Sequence, residues 1–347
     1  MLWMGYPIQS AYFYDKNARF QKYKSDKIII IGLWVMWYFF RQADEFSTNH
    51  SAINAELVFR DQKISGLIEK RINDTLGAVM VFAGGIPAGA YELEDNLCKP
   101  ISLADFAALK IKSEDDIRAI KIPNRAMRMV WLSLESQVQE VASVQVDESW
   151  KGLQKVWEDR KWNGLIEVRS ETFHGFAMYW EGVAQKSDIF FSTPQGFTSE
   201  FCNVQEFRNL PRKVITFSTS PSAQAYRCAL LRQGCTHWSN RVLSRYQEMV
   251  GQRLLQSMER ELNRLVQPWE WEIMVADGTL VDSHFFLHTD YAAHAYRAIL
   301  MSMGTQMNFV IGNNLTQKIL TDTFEDLPKS ERSLLLEHRL IPAAFSE

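Results

Sequence analysis

The sequence predicts an α+β fold: two tandem repeats of a small antiparallel sheet backed by helices, followed by a mostly helical C-terminal domain. Three observations predict it. The phrase GLIEKRINDTLGAVMVFAG, Gly66 to Gly84, returns 98 residues later as GLIEVRSETFHGFAMYWEG, Gly164 to Gly182. Each copy reads as two glycine-bearing strands around a polar tripeptide, which is a hairpin pattern. From about Thr236 the repeat is lost and helical periodicity takes over. The domain bounds that follow are an apolar and aromatic segment at 1–50, a first repeat at 51–145, a second at 146–240 and the helical domain at 241–347.

The N-terminal segment centres on IIIIGLWVMWYFF, Ile28 to Phe40. Thirteen helical residues reach about 20 Å, short of the ~30 Å hydrocarbon core of a bilayer. A buried strand followed by a buried helix is the expected form. Lys16, Arg19, Lys22, Lys24 and Lys27 precede it among tyrosines and phenylalanines, so a peripheral membrane anchor in residues 1–41 is the second expectation. No signal-peptide cleavage pattern follows it.

In the repeats, a helix with aromatic periodicity comes first, AINAELVFRDQK and SWKGLQKVWEDRKW. The hairpin follows, with NDT and SET as its turns. At the constant offset, Gly66, Leu67, Ile68, Glu69 and Arg71 match Gly164, Leu165, Ile166, Glu167 and Arg169. Gly77, Met80 and Gly84 match Gly175, Met178 and Gly182, and Phe82 falls opposite Trp180. GGIPAGAYEL and GVAQKSDIFFS each supply a third strand. A last strand, IRAIKI or KVITFS, leads through Pro123 or Pro221 into a closing helix. The repeated Glu-x-Arg, Glu69 with Arg71 and Glu167 with Arg169, puts both charges on one strand face. It is expected to be a solvated pair reused as a docking surface.

This order of helix, G-L-I-E strand, glycine-marked second strand and trailing strand-helix resembles the PATAN-type domains of bacterial signalling and gliding regulators. SGLIEKRINDTLGAVMVFAGGIPAGA, Ser65 to Ala90, fits the pattern throughout. NGLIEVRSETFHGFAMYWEGVAQKS, Asn163 to Ser187, departs where Gln185 and Lys186 replace small residues. The resemblance implies a non-enzymatic adaptor that docks signalling or motility proteins, with no catalytic residues to carry over.

In the C-terminal domain, the run from His237 to Val266 reads as one long amphipathic helix that Pro268 stops. WEWEIMVADG reads as a strand, and helices are expected over Tyr291 to Met303, Asn314 to Thr323 and Lys329 to Arg339. Between them stands DSHFFLHTDYAAH. Asp282, His284, His288, Asp290 and His294 are metal-type ligands, and His284 and His288 at i, i+4 would share a helix face. A Zn²⁺ or Fe²⁺ enzyme is the alternative that this cluster raises. Histidines that cap helices or line a polar seam are the commoner use of such residues.

Composition bounds the rest. The chain has 347 residues, 46% hydrophobic and 23% charged, enough for buried cores. A net charge of −3 argues against nucleic acid as the partner. Cys98, Cys202, Cys228 and Cys235 form no Cys-x-x-Cys pair and read as reduced residues of a cytoplasmic protein. FAGGIPAGA lacks the spacing of a phosphate or dinucleotide loop, and no Gly-x-Ser-x-Gly elbow occurs. The expected function is a non-catalytic adaptor or scaffold that binds protein partners, with no cofactor.

Overall fold

The computed structural model describes residues 52–73, 76–94, 97–113, 116–144, 147–170, 174–193, 196–198 and 212–345. Ile28–Phe40 and the rest of 1–51 lie outside them. The fold is α+β, with two antiparallel sheets and a helical C-terminal region.

The first unit runs α1 (Ala52–Asp61), β1 (Gly66–Arg71), β2 (Leu76–Ala83), β3 (Ile86–Glu94), β4 (Leu97–Ile101), α2 (Leu103–Ala108), β5 (Ile117–Lys121) and α3 (Asn124–Leu134). Its sheet has the order β4-β3-β2-β1-β5. Then come β6 (Gln137–Val144), α4 (Asp147–Asp159), β7 (Gly164–Arg169), β8 (His174–Trp180), β9 (Val183–Thr193), β10 (Gly196–Thr198) and β11 (Arg212–Ser218). The second sheet repeats the first order and adds one strand, β10-β9-β8-β7-β11-β6. That sixth strand was not anticipated: GlnValGlnGluValAlaSerVal is polar on one face and reads weakly as a strand.

The repeat is real, but its offset is not constant. In β1–β2, Arg71 pairs with Gly77 and Gly66 with Phe82. In β7–β8, Arg169 pairs with His174 and Gly164 with Tyr179. The second hairpin loop is therefore one residue shorter, and the offset is 97 in β8 and again in β11, while a larger bulge in β9 takes it to 99 between them. Gly77, Met80 and Gly84 are thus each one step out of register with Gly175, Met178 and Gly182, and Tyr179 rather than Trp180 stands where Phe82 does. The turns agree: Gly84 and Gly85 have φ of 53° and 82°, Glu181 and Gly182 of 50° and 81°. Two successive positive φ values make the tight turn that matches strand twist. The helix ends agree too, with Lys63 at φ 51° and Lys161 at φ 47° closing α1 and α4 in left-handed caps.

Both faces of the central strands are covered. On the outer face of the first sheet, Ile68, Met80 and Phe82 pack on Phe59 of α1 and Phe106 of α2. On that of the second, Ile166, Val168, Tyr179 and Phe191 pack on Leu153 and Trp157 of α4. The inner faces of both sheets join one core. Leu67, Val81 and Ile120 belong to it from the first sheet, and Leu165, Met178, Phe190 and Ile215 from the second. Helix α3 carries Met127, Val130 and Trp131 into the same core and packs on β2, β7, β8 and β9. The two units are therefore built around a shared interior.

The C-terminal helices join that interior through α5 (Gln224–Val250). It begins as the closing helix of the second repeat, so the expected boundary after residue 240 falls inside one 27-residue helix. The predicted single helix from His237 to Val266 is broken at Gly251, whose φ is 78°, and resumes as α6 (Gln252–Val266). A short hairpin follows, β12 (Ile273–Ala276) and β13 (Thr279–Asp282), then α7 (Thr289–Ile311), α8 (Asn313–Glu325) and α9 (Lys329–Glu337). Trp238, fully buried in α5, donates its indole N–H to the Leu320 carbonyl at 3.1 Å and meets Phe324 edge-on at 5.0 Å. Among the described residues no helix is long and apolar enough to cross a membrane.

The turn geometry makes a stability prediction. A Cβ at Gly182 would lie 2.4 Å from Glu158 Cα and 2.5 Å from the Trp157 carbonyl oxygen, besides its φ of 81°. Gly182→Ala should cost about 3 kcal/mol, whereas Gly84→Ala, at φ 53° with nothing within 4 Å, should cost about 1 kcal/mol. Urea unfolding midpoints of the two variants check the ordering.

Candidate functional site

The duplicated Glu-x-Arg pairs point inward. Leu67, Glu69 and Arg71 share the strand face that meets the common core, as do Leu165, Glu167 and Arg169. Glu69 and Glu167 are only 3% and 2% exposed, so neither belongs to a solvated docking face as the sequence suggested. Arg71 and Arg169 are half-buried. Arg71 turns away to Asp116, with its Nε donating at 2.8 Å.

Each buried carboxylate has found a different partner. Arg118, opposite Glu69 in the β1–β5 register, sits 3.3 Å from it. The one-residue slip puts Ile215 opposite Glu167. That glutamate instead accepts from Arg169 Nε at 2.6 Å and from His174 Nε2 at 2.5 Å. His174 stands where the first unit has Gly77. Burial alone would raise the Glu167 pKa, but Arg169 and the His174 hydrogen bond outweigh it and hold it at about 2. Burial pushes the His174 pKa down, and the Arg169 and Arg118 cations push the same way.

A second polar junction lies where the three parts of the chain meet. Asp188 of β9 is fully buried. Arg128 of α3 and Arg232 of α5 each reach its Oδ1 at 2.9 Å. Burial pushes this carboxyl up, yet the two guanidiniums hold it at about 2. Arg128 also donates to the Asp282 carbonyl at 2.9 Å, which ties α3 to the end of β13. The apolar side of this junction, including Trp131, Met178 and Phe286, borders a pocket of about 440 Å³ counted out to its mouth. Cys228 lines the same pocket, but burial raises its thiol to about 12, so it is protonated at neutral pH. Burial likewise takes the Cys98 thiol to about 12 and the Cys235 thiol well above its ordinary value. None of these three is an activated nucleophile.

The histidine-rich cluster does not converge. Among the described residues no group of three or more His, Cys, Asp or Glu is placed to hold a metal. Asp282 is buried and accepts the Tyr296 hydroxyl and the His284 backbone N–H. His284 precedes α7 instead of lying on a helix, so its spacing to His288 brings them onto no common face. Its ring packs edge-on against Phe286 at 4.4 Å, and burial lowers its pKa. His288 is the N-cap of α7 and faces Tyr291 at 5.7 Å. Asp290 is exposed, 3.5 Å from His338.

His294, one turn beyond Asp290, is exposed and meets two indoles edge-on, Trp269 at 5.9 Å and Trp271 at 6.3 Å. The indoles stack on one another, 5.3 Å apart and 11° from parallel. Sequence alone set this pair in a strand. Between them Glu270 takes a left-handed φ of 56°, which folds the chain and brings the rings face to face. Glu270 also pairs with Lys63 at 2.7 Å, tying the end of α1 to this corner. Trp269 remains 56% exposed, while Trp271 is partly buried against the main core, and Tyr291 on α7 is 68% exposed. The signal in the sequence was Pro-Trp-Glu-Trp-Glu, two large aromatics in a charged turn.

Comparison with family models, with curated proteins and with solved structures gives no match.

The networks set the acid response. Glu167 stabilises the fold above about pH 4.5 and loses that contribution as pH falls toward about 2. His174 adds a loss beginning near its ordinary 6.5, because the unfolded chain takes a proton that the folded chain refuses. Stability by urea denaturation should therefore fall from pH 7 to pH 5, and His174→Gln, which keeps a donor to Glu167, should flatten that slope. At the other junction, Asp188→Asn leaves two buried guanidiniums uncompensated and should cost about 3–5 kcal/mol by the same assay.

Proposed function

We propose that this chain is a non-catalytic interaction protein, a regulatory adaptor or assembly scaffold that docks protein partners. The observation that carries the reading is the exposed indole of Trp269, stacked on a Trp271 that is partly buried against the main core and flanked by His294. A large aromatic held rigidly in solvent by a buried neighbour is characteristic of docking surfaces, where Trp and Tyr supply most of the binding energy. A second exposed apolar group lies at the far end of α7, where Phe309 is 92% exposed beside Val310. The buried, protonated thiols and the separated histidines favour binding over catalysis.

The resemblance of both hairpin units to PATAN-type domains supports the same class, and with it signalling or motility proteins as partners in a cytoplasmic setting. The duplicated units act in this reading as the frame, and the aromatic corner of the C-terminal region as the docking face.

The test is recovery of the native complex from the source cell with the intact chain and with a Trp269→Ala, Trp271→Ala double variant. A partner held by this corner should be lost or weakened at least ~10-fold, since one aromatic anchor contributes about 2 kcal/mol or more. Circular dichroism should remain that of the parent chain, while the melting temperature should fall somewhat because Trp271 packs against the main core; a Trp269→Ala single variant, at the exposed ring, should keep the parent's melting temperature. An undiminished complex with the double variant rejects the aromatic corner as the docking face.

A further inference from the structure

We infer that the Trp269–Trp271 stack receives an arginine side chain from an extended segment of a protein partner. This rests on the docking role proposed above and names the chemistry of what docks. Trp269 has one ring face on Trp271 and is still 56% exposed, so its exposure lies on the opposite face and edge. An open indole face attracts a cation through its ring quadrupole.

The surroundings carry negative charge. Glu270 and Glu272 flank Trp271 in sequence, and both are exposed. Asp290 lies one helical turn before His294 on the same side of α7, with its side chain 92% exposed. The cations on the adjoining elements are engaged, Arg264 at the end of α6 by Glu261 at 2.5 Å. Lys63 engages Glu270 at 2.7 Å, and Arg297 donates to the His338 carbonyl at 2.7 Å. Anionic groups such as phosphate are therefore repelled, and a cation is drawn to the ring.

Between the two common cations the geometry selects arginine. A guanidinium is planar and weakly hydrated, so it can lie on the indole while its edge donors reach Glu272 or Asp290. A lysine ammonium is a strongly hydrated point charge and cannot stack in that way. The outer face of Trp269, backed by Trp271, is a flat surface that suits a planar group.

The probe is a dye-labelled Gly/Ser peptide with two arginines, titrated into the full chain by fluorescence anisotropy. Matched peptides carry lysine or citrulline at both positions. The arginine peptide should bind at least ~5-fold more tightly than the lysine peptide, and the citrulline peptide, flat but uncharged, should bind more weakly still. Trp269→Ala should weaken the arginine peptide about 10-fold, Trp269→Phe less, and the Glu272→Gln, Asp290→Asn double variant should weaken it and flatten its salt dependence. Equal binding of the arginine and lysine peptides, unchanged binding to Trp269→Ala, or no binding at all overturns the inference. If the native complex still depends on Trp269 and Trp271 when the arginine peptide fails, the docking reading stands and only the identity of the guest is wrong.

Discussion

The ion triad of Asp188 with Arg128 and Arg232 is the contact on which the arrangement of the chain depends. A carboxylate with no exposure to water must be compensated inside the protein, and here the compensation comes from two different helices. Arg128 closes the first repeat and Arg232 lies on the long helix that leaves the second. Arg128 extends the tie to the Asp282 carbonyl at the start of the C-terminal loop. Remove Asp188 and two guanidiniums are left facing one another in an apolar interior. The position of three chain segments is therefore specified by one charge balance.

Around that balance the apolar packing is continuous. The inner faces of both sheets, α3 and the C-terminal helices contribute to a single core, and each sheet keeps its own smaller core under its outer helix. The repeats thus share one interior, which explains why their Glu-x-Arg pairs are buried. A charge on the inward face of a strand in a free-standing unit would meet water. In this chain it meets the other unit, and each copy has its own means of neutralising it, Arg118 in the first and Arg169 with His174 in the second.

The one-residue change of offset shows how duplicated sequences diverge without losing the fold. A shorter hairpin loop shifts β8 and β11 of the second unit by one position against a constant alignment, and a larger bulge shifts most of β9 the other way. The tight turn after the second strand survives because its glycine, Gly85 or Gly182, still falls where the backbone needs a positive φ and close approach to the preceding helix. Sequence identity at a fixed spacing had pointed to Gly84, which occupies the less demanding place in that turn.

The sequence by itself determined the α+β class, the tandem hairpins, their outer helices and the helical end, because periodicity and turn residues are local and repeat in step. It also contained the PWEWE stretch, though not its meaning. Only the tertiary structure decided that the strand face of Glu69 and Glu167 was buried as well as the opposite one, since alternation sorts residues onto two faces without saying what covers each. The same holds for the cluster from Asp282 to His294. Its spacing suggested a helix, but Asp282 ends a strand and α7 begins after His288, so Asp282, His284 and His288 diverge and Asp290 and His294 alone share a helix face. The stacked indoles required a left-handed residue at Glu270, a backbone choice made by packing that composition does not encode.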